Sequence, residues 1–491
     1  MSDILTSIIE KRKEDIKRLG TSFGFELPQK RRRPVHKFLT KKGVILEVKR
    51  ASPSKGDICP DLDAAQTAVS YAKLGAAAIS CLTETNYFKG SLEDLMKVCS
   101  SLDKMESQSG RPLPAVLRKD FLLSPEEIEV SYLAGADAVL LIARILDTNT
   151  IVQMAQAAAA HEMTSLVEVR SKEDLEKLKA VSLVTDNNYI VCGVNSRDLA
   201  TFKIDLLRPC LLLNQILEIL GEEARVVFES GVTNYECAAS VGALGFSGLL
   251  LGEAAAKNPE IREGLVKAFT SASSNANSDF WKTFASSLSQ SKKPLAKICG
   301  LTNIEDALMA QKLGASFTGF IFADAFPRSL TREDRLEKLL PQLDKLNTKK
   351  IAVIVDLESQ EVKTAINYVK LGIFDLIQFH KIPYEKVSQD LLKLPHFFAT
   401  DSLEEYQSLV SKGELRVLLD SKTITKEAGL AEPFKTTYEI KWLAGGITPE
   451  NAVTLINQNH PELIDISGGI EDPEKPGIKN HNKLKKLMEE L

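Results

Sequence analysis

The sequence predicts an α/β protein made of two consecutive TIM-type (β/α)8 barrels, and three observations support this fold class. The 491 residues are too many for a single hydrophobic core. One unit recurs along the chain, in which a helical stretch ends in Gly-Ala or a close variant and a short apolar strand follows. The strand candidates form two sets of eight, a number that favours a closed barrel over an open doubly wound sheet.

The recurring unit is clearest in KLGAAAISCL (73–82) and KLGASFTGFIF (312–322). Its glycine is typical of a helix end, and its strand is apolar on both faces, as buried parallel strands are. The predicted strands begin near residues 44, 77, 114, 137, 165, 190, 226 and 247, and then near 295, 317, 351, 374, 396, 415, 441 and 462.

The two sets are separated by a stretch that is rich in serine and asparagine at its start. We place the first barrel in residues 1–270, a linker or docking segment in 271–293 and the second barrel in 294–491. The portion around Trp281 and Phe284 predicts a short docking helix. The first 19 residues mix both charges with apolar residues at helical spacing, which predicts an amphipathic N-terminal extension rather than a signal peptide.

Composition excludes several classes of function. A net charge of -4 gives no general attraction to nucleic acid or membranes, and no apolar run is long enough to span a bilayer. The seven cysteines and six histidines do not fall at metal-ligand spacing, and neither GxGxxG nor GxxxxGK[ST] occurs. We therefore expect reduced thiols in the cytoplasm and no metal or cofactor. We also expect the protein to be a monomer.

Charged residues at the ends of the first set of strands break the apolar pattern in an orderly way. Glu47 and Lys49 share the inward face of the first strand, where a structural ion pair and a functional role are equally plausible. Similar inward positions recur at Lys119, at Glu168, and at Asn195 with Arg197. Catalytic groups of barrels meet at this rim, and two neighbouring lysines are expected to have lowered pKa values there. Glycines after strands seven and eight predict a phosphate site, and hence substrates that are phosphorylated small molecules.

These residues carry a resemblance that covers about residues 1–265. The motifs are Glu47-x-Lys49-x-x-Ser52-Pro53-Ser54, Arg118-Lys119-Asp120-Phe121, Glu168, Asn195-Ser196-Arg197-Asp198-Leu199 and Glu229-Ser230-Gly231. In this order they resemble indole-3-glycerol phosphate synthase. The resemblance implies that 1-(2-carboxyphenylamino)-1-deoxyribulose 5-phosphate is closed to an indole, with loss of carbon dioxide and water.

The resemblance also implies residue roles. Lys119 would protonate the substrate ketone, and Lys49 and Glu168 would share acid and base work in dehydration, although the order of the lysines stays open. Glu47 would orient the lysines and the substrate hydroxyls. The implied binding residues are Arg197 and Asn195 for the carboxylate and hydroxyls, Phe121 for the aromatic ring, and Ser52, Ser230, Gly231, Gly252 and the backbone of Glu253 around the phosphate.

The second set of strands carries a different group of polar residues. Lys297 and Cys299 share a face of its first strand, and Asp420 ends its sixth. On the fourth strand, His380 suits a binding role and a structural rim histidine equally well. Glycines again follow strands seven and eight. The segments KICG, QFH, LLD, LAGGITPEN and DISGGIE resemble phosphoribosylanthranilate isomerase over about residues 294–491.

That second resemblance implies an Amadori rearrangement with Cys299 as base and Asp420 as protonated acid. Arg328 would hold a substrate anion, and Gly446, Ser467 and Gly468 would serve the phosphate. Three features depart from the family pattern: the stretch after Asp420 lacks paired glycines, Phe326 stands where the family has serine, and Ser467-Gly468-Gly469 replaces Ser-Ser-Gly.

Two alternatives remain open at this point. The altered stretch after Asp420 allows the second barrel to be a non-catalytic scaffold beside an active first barrel, although a scaffold needs neither Cys299 nor Asp420. A histidine-pathway phosphosugar isomerase is disfavoured, because such barrels place aspartates at the ends of strands one and five. Lys49 and Cys299 end the first strands here.

Overall fold

The computed structural model describes residues 4–109, 113–198, 200–288, 293–420 and 436–491. The chain divides into two compact units, Met1–Ser274 and Asn275–Leu491, called here the N-terminal and the C-terminal unit. Each unit contains a closed barrel of eight parallel strands with helices between them. The predicted fold class is therefore confirmed, including the N-terminal helical extension.

The N-terminal barrel closes through its first strand, which pairs with the second and the eighth. Ile45 lies opposite Ala78 on one side, and Gly43 lies opposite Gly248 on the other. The strands are β1 (Gly43–Val48), β2 (Ala78–Leu82), β3 (Ala115–Lys119), β4 (Ala138–Ile142), β5 (Thr164–Val169), β6 (Ile190–Asn195), β7 (Val226–Glu229) and β8 (Gly248–Leu251). A short hairpin pairs Ala51–Ser52 with Gly56–Asp57 just after β1.

Helices follow the strands and begin at side-chain caps. Asp63 and Asp147 each accept a hydrogen bond from a first-turn N–H group, and Ser171 forms a capping box with Asp174. The helices are α1 (Ile4–Leu19), α2 (Ala64–Lys73), α3 (Leu92–Ser109), α4 (Glu126–Leu133), α5 (Thr148–Ala160), α6 (Lys172–Ser182), α7 (Arg208–Leu220), α8 (Tyr235–Ala243), α9 (Glu253–Lys257) and α10 (Arg262–Ser271).

The C-terminal barrel closes in the same way, between its first and eighth strands. Its strands are β9 (Leu295–Cys299), β10 (Phe317–Ile321), β11 (Lys349–Ile354), β12 (Leu376–His380), β13 (His396–Thr400), β14 (Val417–Asp420), β15 (Trp442–Ala444) and β16 (Leu463–Ile466). Its helices are α11 (Ala276–Leu288), α12 (Ile304–Lys312), α13 (Arg335–Leu339), α14 (Gln360–Lys370), α15 (Leu403–Ser411), α16 (Ala452–Asn459) and α17 (His481–Glu490).

The glycines of the recurring unit adopt the conformation expected at helix ends. Gly75, Gly135, Gly314 and Gly372 have positive φ angles of 83°, 101°, 99° and 73°, and each turns the chain from a helix towards the next strand. In the part of the chain that the structure describes, no helix is both long and apolar enough to cross a membrane.

An aromatic cluster lies at the amino-terminal end of the C-terminal barrel. Trp281 of α11 lies 5.7 Å from Trp442, and Phe284 lies 5.7 Å from Phe317, measured between ring centroids. Trp442 and Phe317 are the first residues of their strands, so α11 covers the end of the barrel opposite Cys299 and Asp420. Helix α11 therefore does not cover the carboxyl end of the barrel, where Cys299 and Asp420 lie.

Candidate active sites

In the N-terminal barrel, each of the four odd-numbered strands carries a charged residue two positions after an apolar core residue. Side chains of a strand alternate between its faces, so residues two apart share the inward face. The pairs are Ile45 and Glu47, Leu117 and Lys119, Leu166 and Glu168, and Val227 and Glu229. The four charges therefore meet at the carboxyl end of one barrel.

Lys119 forms ion pairs with Glu168 and Glu229, and Glu47 pairs with Lys49 beside them. Lys119 Nζ lies 3.3 Å from Glu229 Oε2 and 3.6 Å from Glu168 Oε2. Lys49 follows at the end of β1, with its Nζ 3.2 Å from Glu47 Oε1. The carboxylates are at most 7% exposed, so the charges interact with little screening by water. The residues that the sequence singled out as catalytic do lie together.

The pKa of Lys119 differs from the expectation. Burial disfavours the charged lysine, but the carboxylates of Glu229, Glu168 and Glu47 outweigh burial and raise the pKa. The prediction of a lowered pKa was wrong because it considered only the neighbouring lysine. Lys119 therefore carries its proton at neutral pH.

Glu229 is a member of this cluster to which the sequence analysis gave no role. Burial raises its pKa to about 8, with Lys119 opposing the shift and Glu168 adding to it. Within the described residues its Oε1 has no hydrogen-bond partner. This oxygen lies over Gly193, where an added Cβ would be 2.1 Å away. An inward glutamate at the end of the seventh strand was the signal that could have identified it.

Aromatic and polar side chains surround the charged cluster. Phe121 lies 6.0 Å from Phe88, and Lys49 Nζ lies 5.4 Å from the centre of the Phe88 ring. Glu168, Asn195 and Arg197 line one small cleft. Asn195 Oδ1 accepts a hydrogen bond of 3.0 Å from the backbone N–H of Arg197, which fixes the start of that loop.

The last two strands of this barrel end in tight backbone turns. Ser230 and Gly231 have φ angles of 70° and 86°, and an added Cβ on Gly231 would lie 2.9 Å from two side chains. Gly252 is equally constrained, since a Cβ there would lie 2.5 Å from Glu47 Oε1. The carboxylate of Glu253 pairs with Lys257 at 2.8 Å, which leaves its backbone N–H at the start of α9. Ser52 is buried on the hairpin after β1.

The N-terminal helix is held at this rim by a buried network. Arg12 of α1 lies 2.8 Å from Asp120 and also contacts Glu127. Asp120 accepts further hydrogen bonds from Arg118 and from the backbone N–H of Phe121. The extension is thereby tied to the loop that presents Lys119 and Phe121.

In the C-terminal barrel, a cavity of about 530 Å³ opens at the carboxyl ends of the strands. Every residue predicted for the second site lines it: Cys299, Arg328, His380, Asp420, Gly446, Ser467 and Gly468. Gln378 and Asp465, which had no predicted role, line it as well. The structure thus brings together residues from six of the eight strands or the loops that follow them.

Charged partners surround the predicted base and binding residues of this cavity. Burial raises the pKa of the Cys299 thiol, and Lys297 opposes that rise. Burial lowers the pKa of His380, with Asp420 opposing. Arg328 makes a two-pronged contact with Glu471, at 2.6 Å for Nη2 and 2.9 Å for Nε, and stands beside Gly468.

The two halves of the chain match two different family models. The family model of indole-3-glycerol phosphate synthase matches residues 5–267, which is more than half of the chain. The chain belongs to this family. The family model of N-(5'-phosphoribosyl)anthranilate isomerase matches residues 296–490. The order synthase then isomerase is the order that the motifs indicate.

Several relatives extend over both barrels. The chain is 28% identical to "Tryptophan biosynthesis protein TRP1" of Phytophthora nicotianae over 86% of each sequence. It is 27% identical to "Tryptophan biosynthesis protein TrpCF" of Helicobacter pylori, covering 91% of this chain and 89% of that protein. An indole-3-glycerol phosphate synthase of Desulforamulus reducens is 39% identical, covering 51% of this chain and 91% of that enzyme. Two multifunctional relatives are longer, and the chain spans 61% and 60% of them.

The C-terminal barrel departs from the family pattern near Asp420 and at Phe326. The altered stretch after Asp420 falls mostly in residues 421–435, which lie outside the described residues. Phe326, at the family's serine position, lines the cavity and is 45% exposed. In the described ranges of both barrels, no group of three histidine, cysteine, aspartate or glutamate side chains is arranged to hold a metal ion.

Proposed function

We propose that the chain catalyses two consecutive steps of tryptophan biosynthesis. The isomerase barrel converts N-(5-phosphoribosyl)anthranilate to 1-(2-carboxyphenylamino)-1-deoxyribulose 5-phosphate. The synthase barrel then closes the indole ring of that product and releases carbon dioxide and water. The observation that carries the proposal is the same in both barrels: proton donors and acceptors converge beside the glycine-containing ends of the last two strands.

In the synthase barrel, the substrate carbonyl oxygen gains negative charge as the aromatic carbon attacks. Lys119 is protonated at neutral pH and donates its proton to that oxygen. Decarboxylation restores the aromatic electrons. Dehydration then needs an acid for the departing hydroxide and a base for a carbon-bound proton, which are the roles of Lys49 and Glu168. Glu47, 3.2 Å from Lys49, orients that lysine.

Substrate binding follows from the groups around the cluster. Phe121 stacks on the anthranilate ring, and Arg197 with Asn195 holds the carboxylate and hydroxyls. Backbone N–H groups near Gly231 and Gly252 hold the phosphate, since the tight turns let the backbone approach an anion. Ser52, Ser230 and the backbone of Glu253 complete this pocket.

In the isomerase barrel, the thiolate of Cys299 removes the proton from C2′ of the substrate, and Asp420 protonates the ring oxygen as the ribose opens. The loops at Gly446, and at Ser467 with Gly468, bind the phosphate on the same side of the cavity. Arg328 stands at this end, where a guanidinium attracts a substrate anion. His380 lies at the opposite wall, on β12, and contacts the sugar.

A scaffold role for the second barrel is less consistent with the cavity. A scaffold gains no stability from Cys299, Asp420 and the glycine loops around one open volume, whereas the isomerisation uses each of them. Product analysis of the full chain tests the proposal. Lys119→Ala should abolish synthase turnover and spare isomerase turnover, and Cys299→Ala should do the converse. Loss of both activities in either folded variant would contradict two independent sites.

A further inference from the structure

We propose that Lys297 is a positioning residue of the isomerase barrel, whose ammonium group pairs with the thiolate of Cys299 and so makes that side chain usable as a base. The inference rests on the proposed isomerase function and adds a residue that the motifs did not assign. Lys297 is two residues before Cys299 on β9, so both side chains project from the same face of the strand.

The two side chains also converge in space. A Cβ added to Gly319 on the neighbouring strand would lie 2.8 Å from Cys299 Sγ and 3.2 Å from Lys297 Cε. The two groups are close enough for each to influence the other's pKa: the thiolate favours the charged lysine, and the ammonium group favours the thiolate. Gly319 therefore provides the space in which the lysine reaches the sulfur, and a larger residue there would separate them.

The environment of Lys297 is costly for a residue that only fills space. Its side chain is fully buried, and burying an ammonium group costs several kcal/mol unless it is paired. Nζ lies 2.5 Å from Asp465 Oδ2. Asp465 Oδ1 has no hydrogen-bond partner among the described residues, and Asp465 lines the cavity. Asp465 therefore connects the buried lysine to the wall of the cavity.

The chemistry of the proposed step gives this charge a purpose. When Cys299 accepts the proton from the sugar carbon, the starting form is an anion in a buried site. A neighbouring cation lowers the free energy of a thiolate. Burial raises the pKa of the thiol, and Lys297 is the largest of the groups that oppose this rise. Lys297 keeps its own proton throughout, and the proton that Cys299 accepts moves directly from carbon to sulfur.

Other groups also act on the thiol from the elements around β9. Asp465 on β16 raises the pKa of Cys299, while Lys479, whose Nζ donates to the Cys299 carbonyl at 2.7 Å, lowers it. Arg328 also lies near this end of β9, since its Cδ would be 2.7 Å from a Cβ added to Gly300. The two groups that touch each other, Lys297 and Asp465, thus act on the thiol in opposite directions, which allows a paired test.

The test uses the full chain and measures the rate at which iodoacetamide alkylates Cys299 as a function of pH, by mass spectrometry of its peptide. Lys297→Met is expected to raise the midpoint by about one pH unit, which corresponds to a roughly tenfold lower isomerase kcat/KM at pH 7.5 that recovers at higher pH. Asp465→Asn is expected to lower the midpoint. Lys297→Arg keeps the charge and should stay close to the unsubstituted protein.

Synthase turnover and tryptophan fluorescence of the same samples report folding. If Lys297→Met does not fold, the downward shift in Asp465→Asn decides the matter. Midpoints unchanged in the folded variants would overturn the inference and leave a purely structural ion pair. An unsubstituted chain without isomerase turnover would instead overturn the proposed function, while the alkylation midpoints would still test the contact between lysine and thiolate.

Discussion

Glu229 destabilises the barrel that contains it, so Glu229→Gln should make the N-terminal unit more stable at neutral pH. Burial raises the pKa of this carboxyl from 4.5 to about 8 despite the attraction of Lys119. Between these two pH values the folded protein holds a proton that the unfolded chain has released. Stability therefore falls as pH rises through this window and is unaffected by this group below it.

The magnitude follows from the width of that window. Between pH 4.5 and 8, each pH unit lowers the free energy of unfolding by roughly 1 to 1.5 kcal/mol. At pH 7 the carboxyl group therefore lowers the free energy of unfolding by about 3 kcal/mol. Glutamine is neutral at every pH and its amide oxygen can still accept the hydrogen bond from Lys119. The variant should gain about 3 kcal/mol at pH 7 and little at pH 5.

The two tryptophans make the measurement specific to one unit. Trp281 and Trp442 both lie in the C-terminal unit, so fluorescence reports that unit while far-UV circular dichroism reports both. In denaturation experiments on the full chain between pH 5 and 8, the free energy of unfolding of Glu229→Gln should exceed that of the unsubstituted protein. This difference should grow with pH in the transition followed by circular dichroism, and not in the one followed by fluorescence. Glu223→Gln, on an exposed glutamate, is the matched control. A gap that does not vary with pH would refute the argument.

Three further variants test other contacts. Asp420→Asn should lower isomerase turnover at least 100-fold and leave synthase turnover unchanged, because an amide cannot donate the required proton. An isomerase turnover that falls less than tenfold would argue against the acid role. Arg12→Met leaves two buried carboxylates without this cation and should destabilise the N-terminal unit by about 3 to 5 kcal/mol, as measured by circular dichroism; an unchanged transition would contradict the buried network. Although burial opposes it, Glu414 raises the pKa of His396 above 6.5. The stability that this pair provides is present below pH 6.5 and is lost as pH rises through the raised value, so His396→Gln should remove this slope from the fluorescence transition. A slope that persists in the variant would assign the pH dependence to another group.

Local patterns were sufficient for the fold because the repeating unit is local. The glycine at each helix end needs a positive φ angle, and the apolar strand after it needs two buried faces, so both can be identified without knowing the partner strands. The predicted strand starts agree with the observed ones within about two residues. Alternation along single strands also placed Glu47, Lys119 and Glu168 on the inward face.

Protonation states could not be predicted in the same way. The pKa of Lys119 depends on three carboxylates that come from β1, β5 and β7, and the sequence analysis considered only another lysine. The raised pKa of Glu229 likewise depends on burial and on Lys119 and Glu168, which come from other strands.

The sequence by itself therefore determined the fold class, the strand order and the faces on which polar side chains stand, since these follow from periodicity and backbone conformation. Only the tertiary structure decided which charges neutralise one another, as at Lys297 with Asp465 and at Arg328 with Glu471. The physical reason is that the interaction between two charges in a buried site depends on distance and burial. Both quantities are set by strands and loops that lie far apart along the chain.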